Sequence, residues 1–351
     1  MQHLKLAALI ARASLEPSGI IKRGQEDANG TGQVLFMILG ALTIASIVPA
    51  ILYTTYTLSA LFPVLTVVES HSDYVPLKQA ENDESGKEKS SSIEEPSASH
   101  QQQLTSGIRA LHRVLYSLSG FRSLFRAINI MMYYNSVTAL IVIVLSLIPY
   151  MPVPVASLVA DLIAVPIHVS WVHWAITTPG RHRAWYRTPE FKSTLKATAI
   201  PTMILAFANQ VAVELPGVVL QLLRIEVDEP LGMGYKVPKV TGVDSGYHLA
   251  LFYTIFLGVV ATCYIPAQAA LIRIEASLLP AEEETIVSVD RTFGMNNVER
   301  DGALSFLNAI KSMKGSWGRL YKLYIKIFFM TFAIESILVA LVILCVVATS
   351  H

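Results

Sequence analysis

The sequence predicts an all-α integral membrane protein with six transmembrane helices. Only 15% of the 351 residues are charged, against about 25% in a typical soluble protein. The charges lie between long uncharged runs, and each run is long enough to cross a bilayer as a helix. No stretch alternates in polarity as the strands of a membrane β-barrel do.

Six apolar runs supply the spans. The first covers residues 34–68. The second begins at residue 127, and "PYMPVP" (149–154) separates it from the third, which ends near residue 176. Three prolines in six residues exclude a continuous helix and predict a tight turn. The last three runs cover 197–223, 245–272 and 327 to the C-terminus, and the fourth and sixth each contain one acid.

The polar segments predict the organisation of the chain. Residues 1–32 form an N-terminal segment, and residues 33–350 form a single membrane domain. The acidic, serine-rich stretch 78–103 has no core-forming pattern and is predicted to be disordered. Only seven of the 27 lysines and arginines lie outside the segments that follow the odd-numbered spans. The positive-inside tendency therefore places those three segments on one side of the membrane.

A period near 100 residues divides the membrane domain into three repeats, each predicted to be a helix hairpin. Pro63, Pro166 and Pro266 recur at this spacing, each within or near the end of an odd-numbered span. We expect each proline to remove a main-chain hydrogen bond and to kink its helix. The repeats cover residues 33–150, 151–228 and 229–350.

The even-numbered spans also contain a recurring pattern. "YSLSGFRSLFRAINI" (116–130) and "KSMKGSWGRLYKLYI" (311–325) share Ser-x-x-Gly followed by a leucine, an aromatic and a basic residue. Residues 107–118 and 303–313, just upstream, place apolar residues at helical spacing beside basic ones. We expect these two segments to be helices at the membrane surface.

Together these features resemble the mitochondrial carrier family, whose odd helices end in P-x-[DE]-x-x-[KR]-x-[RK]-x-Q. Pro266, Arg273 and Glu275 occupy the proline, basic and glutamine places of that motif. The family's G-x-x-x-L-Y-R-G-like entry to the even helix resembles Gly120, Leu124, Phe125 and Arg126. The resemblance implies pseudo-threefold symmetry of the three hairpins and transport of a small solute.

The chain departs from that family at the gate. Family members close the cavity with ion pairs between acidic and basic places of the motif. Here the acidic places are Leu65, His168 and Gln268, and the basic places are Val68, Trp171 and Leu271. We therefore expect apolar or weakly polar packing there, because losing both partners of a pair avoids a buried unpaired charge.

Two functions follow from this departure. The first is a carrier-like protein of a mitochondrial membrane, either a small-solute transporter with a degenerate gate or a non-transporting adaptor. The alternative is an unrelated six-span protein of the endomembrane system that binds lipid or protein partners.

Polar residues inside the spans are the candidate transport path, because such residues are costly in a bilayer. They are Asp161, His168, Asn209, Gln210, Glu214, Gln268 and Glu335. Glu214 and Glu335 stand out as isolated acids on even-numbered spans. Each acid contacts either a polar substrate or, in the simpler interpretation, water or a neighbouring hydrogen-bond partner.

The expected partners are membrane lipids, together with a small polar solute or other membrane proteins. Arg181, Arg183 and Arg187 adjoin an aromatic stretch and are predicted to contact anionic lipid head groups, or else serve only as a topology signal. The net charge of +1 argues against nucleic acid. No nucleophile–base pair or metal-ligand set is apparent, so we expect neither enzyme activity, nor a metal, nor a cofactor.

Overall fold

A computed structural model of the chain describes residues 45, 47–69, 107–178, 189–228, 237–238, 245–280, 283–290, 293 and 304–350. These residues are mostly helical. Six helical stretches are long and apolar enough to cross a membrane, as the sequence predicts. The chain is therefore compatible with an integral membrane protein of six spans.

We number the helices in chain order. They are α1 (Ile47–Val68), α2 (Ile108–Ser119), α3 (Ile128–Ser146), α4 (Val153–Ile176), α5 (Phe191–Leu222), α6 (Gly246–Ser277), α7 (Phe306–Ser312) and α8 (Trp317–Ser350). A 3₁₀ turn, Gly120–Phe125, joins α2 to α3. Two short antiparallel strands, β1 (Val227–Asp228) and β2 (Val237–Pro238), lie between α5 and α6.

The outer surfaces of the spans are apolar. Large apolar side chains are more than half exposed on α3, α5 and α8, including Leu140, Ile143, Phe207, Phe329 and Ile337. Water would make such surfaces costly, whereas lipid tails cover them without penalty. This exposure supports a membrane environment for the helices.

The prolines between the second and third spans form the predicted tight turn. α3 ends at Ser146, and α4 begins at Val153 with Pro152 as its N-cap residue. Tyr150 adopts a positive φ of 65° within this turn. The expected surface segments also form helices, since α2 and α7 fall within residues 107–119 and 306–312.

Two of the three recurring prolines follow a π-helical segment. In α1 this segment is Tyr53–Leu61, and Phe62, just before Pro63, donates its N–H to the carbonyl of Thr57. In α6 it is Val260–Tyr264, and Ile265, just before Pro266, donates its N–H to the carbonyl of Val260. A helix can adopt π-helical hydrogen bonds before a proline, because the proline lacks the N–H that the regular α-helical pattern needs.

The third proline behaves differently. α4 remains α-helical across Pro166, and the hydroxyl of Ser170 donates to the carbonyl of Pro166 over 2.8 Å. The local response to proline is therefore shared by α1 and α6 but not by α4. The pseudo-threefold arrangement of three hairpins stays a prediction.

Several predicted features lie outside the described residues. They are the N-terminal segment 1–32, the acidic stretch 78–103, and the lipid-contacting arginines Arg181, Arg183 and Arg187.

Contacts within the chain define two units. One is Pro63–Lys322, and the other comprises Met1–Phe62 and Leu323–His351. The side-chain contacts that position the candidate site all lie within Pro63–Lys322.

Candidate functional site

The end of α6 contains two buried charged residues, Arg273 and Glu275. Their exposed fractions are 2% and 1%. Residues two apart on a helix point to nearly opposite sides, about 200° apart. The two side chains therefore reach different neighbours, although both lie in the last turns of one helix.

Arg273 connects α6 with α1 and α7. Its Nε donates to the carbonyl of Val67 over 2.9 Å, and its Nη1 donates to the hydroxyl of Ser312 over 2.6 Å. The guanidinium carbon also lies 4.7 Å from the centre of the Phe293 ring, within the range of a cation–π contact. A buried guanidinium is stabilised only when several such partners surround it.

An ion pair lies just beyond the end of α1. Nη1 of Arg319, near the start of α8, is 2.7 Å from Oε2 of Glu69, whose side chain is 1% exposed. With Val67 and Arg273, this pair places the end of α1, the end of α6 and the start of α8 at one end of the unit. We call Glu69, Arg273, Ser312 and Arg319 the end cluster.

Glu275 faces α4. Its Oε1 lies 2.7 Å from Nδ1 of His168, and its main-chain carbonyl lies 2.9 Å from Nε2 of His173. No hydrogen-bond partner for Oε2 of Glu275 exists among the described residues. The His168 side chain is 19% exposed while that of Glu275 is 1% exposed, so the imidazole is the more accessible member of the pair.

A second acid adjoins this pair. The hydroxyl of Tyr134 on α3 donates to Oδ1 of Asp161 on α4 over 3.0 Å. The Tyr134 ring also lies edge-on to the His168 ring, with centroids 5.1 Å apart. Tyr134, Asp161, His168 and Glu275 form what we call the intramembrane cluster, because all four lie on helical stretches long and apolar enough to cross a membrane.

The segment after α6 forms main-chain hydrogen bonds with the end of α4. Ile286 donates its N–H to the carbonyl of Ile176, and Thr178 donates its N–H to the carbonyl of Glu284. Nε of Arg126, just before α3, donates to the carbonyl of Trp174 over 2.6 Å. These contacts bring segments that follow α4 and α6 to the same end as the entry to α3, in agreement with the charge distribution of the sequence.

Of the seven predicted transport-path residues, Asp161 and His168 lie in the intramembrane cluster. On α5, Nε2 of Gln210 donates to Oε1 of Glu214 over 3.2 Å, so Glu214 has a partner within its own helix. The remaining three are not shown to join the cluster: Asn209 is exposed, and Gln268 and Glu335 are half-buried.

The gate positions differ in part from the sequence expectation. Leu65, Val68, Trp171 and Leu271 are each at most 4% exposed, as apolar packing predicts. His168 does not follow that pattern, because it contacts the carboxylate of Glu275. This contact joins α4 to the last turn of α6.

Sequence reasoning missed four participants: Glu69, Tyr134, Arg319 and the carboxylate of Glu275. Glu69 directly follows the first apolar run, and Arg319 lies among the basic residues that precede the sixth, where charges usually mark the membrane boundary. Their burial depends on long-range packing, so only the R-x-E pattern of α6 offered a signal. Within the described part of the chain, no three His, Cys, Asp or Glu residues lie close enough together to hold a metal ion.

Comparison of the chain with protein-family models, with curated proteins and with solved structures gives no match.

Proposed function

We propose that the chain is a carrier-like membrane protein that moves a small polar solute and uses Glu275 as a contact inside the membrane. The supporting observation is the state of this carboxyl group. It is 1% exposed, it lies on a spanning helix, and one of its oxygens has no partner among the described residues. A buried polar atom of this kind is costly unless it serves a ligand or a proton.

The chemistry of the cluster favours a solute that offers hydrogen-bond donors. A carboxylate oxygen accepts hydrogen bonds and attracts positive charge. The rings of Tyr134 and Trp171 flank His168, with centroids 5.1 and 5.2 Å from it. An amine or another donor-bearing polar molecule fits these surroundings better than an anion does.

The experiment uses the full chain reconstituted in phosphatidylcholine vesicles. The vesicles are incubated with the small-molecule fraction of a cell extract, and their contents are identified by mass spectrometry. We expect at least one polar compound to accumulate relative to protein-free vesicles, and Glu275→Gln to abolish that accumulation. Glu226→Gln is the matched control, because Glu226 is exposed and lies beyond α5. Equal contents in vesicles with and without protein would contradict transport.

A non-transporting adaptor is the second candidate. It is favoured by the end cluster, in which Arg273 and the Glu69–Arg319 pair cross-link the ends of three spans. Such cross-links oppose the helix movements that alternating access needs. Absence of uptake, with a stably folded chain, would favour this function.

The membrane itself is part of the proposal. We propose a mitochondrial location, supported by the family resemblance of the sequence. The alternative is a six-span protein of the endomembrane system that binds lipid or protein partners. Fluorescent tagging of the full chain, viewed with organelle markers, distinguishes the two locations.

A further inference from the structure

We propose that the His168–Glu275 pair is a proton-binding site, and that transport through this protein is linked to its protonation. The proposal rests on the proposed function, since it names the ion that the same site exchanges. It follows from the geometry of four side chains on α3, α4 and α6.

The side chains of His168 and Glu275 are in direct contact. Nδ1 of His168 and Oε1 of Glu275 are 2.7 Å apart, the separation of a short, charge-assisted hydrogen bond. Imidazole is the side chain that ordinarily exchanges a proton near neutral pH, and here its partner is a carboxyl group. One proton shared between Nδ1 and Oε1 leaves the pair with either two opposite charges or none. Uptake of a second proton from the solvent leaves a cationic imidazolium beside a neutral carboxyl.

The other oxygen of the Glu275 carboxyl also favours a bound proton. Oε2 of Glu275 is buried, in a residue that is only 1% exposed, and it has no hydrogen-bond partner within the described residues. A protonated Oε2 carries a hydroxyl rather than a bare anionic oxygen, which lowers the cost of keeping this group in the membrane. The proton is thus the smallest occupant that fits this position.

The two side chains of the pair differ in exposure. His168 is 19% exposed, whereas Glu275 is 1% exposed. A proton therefore reaches the buried carboxyl through the imidazole. His173, also on α4, bonds to the main-chain carbonyl of Glu275, so it orients the main chain and leaves the carboxyl to His168.

Further titratable groups of the described residues lie near the pair on the neighbouring helices. On α4, Asp161 lies two turns before His168 and accepts a hydrogen bond from Tyr134 of α3. On α6, Arg273 points away and bonds to Val67 and Ser312. Within the part of the chain that the structure describes, Asp161 is the one further acid that acts on His168, and Tyr264 of α6 interacts electrostatically with Asp161.

The test measures carboxyl protonation by infrared difference spectroscopy of the reconstituted full chain, between acidic and alkaline buffer. We expect a carbonyl band of a buried carboxylic acid that titrates and shifts in heavy water. Glu275→Gln removes this band, Glu275→Asp retains one, and His168→Gln shifts the pH at which it is half lost. Glu226→Gln leaves it unchanged. A size-exclusion profile for each variant shows that it is folded.

The outcomes separate this proposal from the proposed function. A titration spectrum that Glu275→Gln leaves unchanged, or no titrating band at all, would overturn the proton site even if a solute accumulates in vesicles. A band that disappears only with Glu275→Gln supports the proton site, and it does so even if no solute accumulates. In that second case the transport proposal fails, and with it the link between transport and protonation, while the proton site stands.

Discussion

The hydroxyl of Tyr321 on α8 donates a hydrogen bond of 2.7 Å to the main-chain carbonyl of Ala261 on α6. This carbonyl lies in the π-segment, where a carbonyl normally accepts from the main-chain N–H five residues later. That residue is Pro266, which has no N–H, and Ile265 donates to Val260 instead. A side chain from another helix therefore supplies the hydrogen bond that proline removes.

This relationship predicts a specific coupling between Tyr321 and Pro266. Tyr321→Phe leaves the Ala261 carbonyl without its donor, and we expect a loss of about 1 kcal/mol in the free energy of unfolding. Pro266→Ala restores a main-chain donor, so Tyr321→Phe costs less in that background. A double-mutant cycle of thermal unfolding in detergent measures the coupling. Equal costs in both backgrounds would contradict the account.

The Glu69–Arg319 pair predicts a large penalty for removing one charge. Because Glu69 is buried, Arg319→Gln leaves its carboxylate poorly compensated, and we expect a loss of about 3 kcal/mol. Glu69→Gln combined with Arg319→Gln removes both charges and is expected to cost less than Arg319→Gln alone. Chemical unfolding of the three variants compares these values. A double variant that is less stable than the single one would show that the pair does not act as we describe.

Arg273 predicts that a conservative replacement fails. Lysine carries the same charge but lacks the planar fork that reaches Val67 and Ser312 together. We expect Arg273→Lys to lower the melting temperature nearly as much as Arg273→Met. Arg113→Lys is the matched control, because Arg113 is exposed on α2 and should tolerate the change. Full stability of Arg273→Lys would mean that charge alone suffices at this position.

Gly120 predicts a purely conformational effect. Its φ is +65°, and a Cβ added there would meet no heavy atom within 4 Å. We expect Gly120→Ala to destabilise the chain by about 1 kcal/mol through backbone strain alone. Gly318 in α8 is equally uncrowded and has no positive φ, so Gly318→Ala should be neutral or stabilising. Thermal unfolding distinguishes the two, and equal effects would contradict this explanation.

Local patterns predicted the six long apolar helical stretches, the turn before Val153 and the helices α2 and α7. Hydropathy, proline spacing and amphipathic periodicity act within a few turns of chain, so a sequence alone contains them. The Ser-x-x-Gly pattern also marked Gly120, whose positive φ ends α2.

The candidate site was harder to predict, because its contacts join distant parts of the chain. Glu69 meets Arg319, and His168 meets Glu275, only after the helices pack. Sequence reasoning ranked Glu214 and Glu335 highest because they are isolated acids within spans. It gave less weight to Glu275, which stands at the end of a run and beside an arginine.

The central claim is that the spans cross a membrane and gather the segments after α4 and α6, with the entries to α3 and α8, on one side. Single cysteines at exposed positions test this claim in a chain with Cys263 and Cys345 replaced by alanine. In sealed vesicles with one orientation, a membrane-impermeant maleimide should label a cysteine that replaces Ser117, Lys192 or Lys314 from one side. Tyr150 and Arg224 positions should be labelled only from the other. Labelling of Lys192 and Tyr150 positions from the same side would contradict the account.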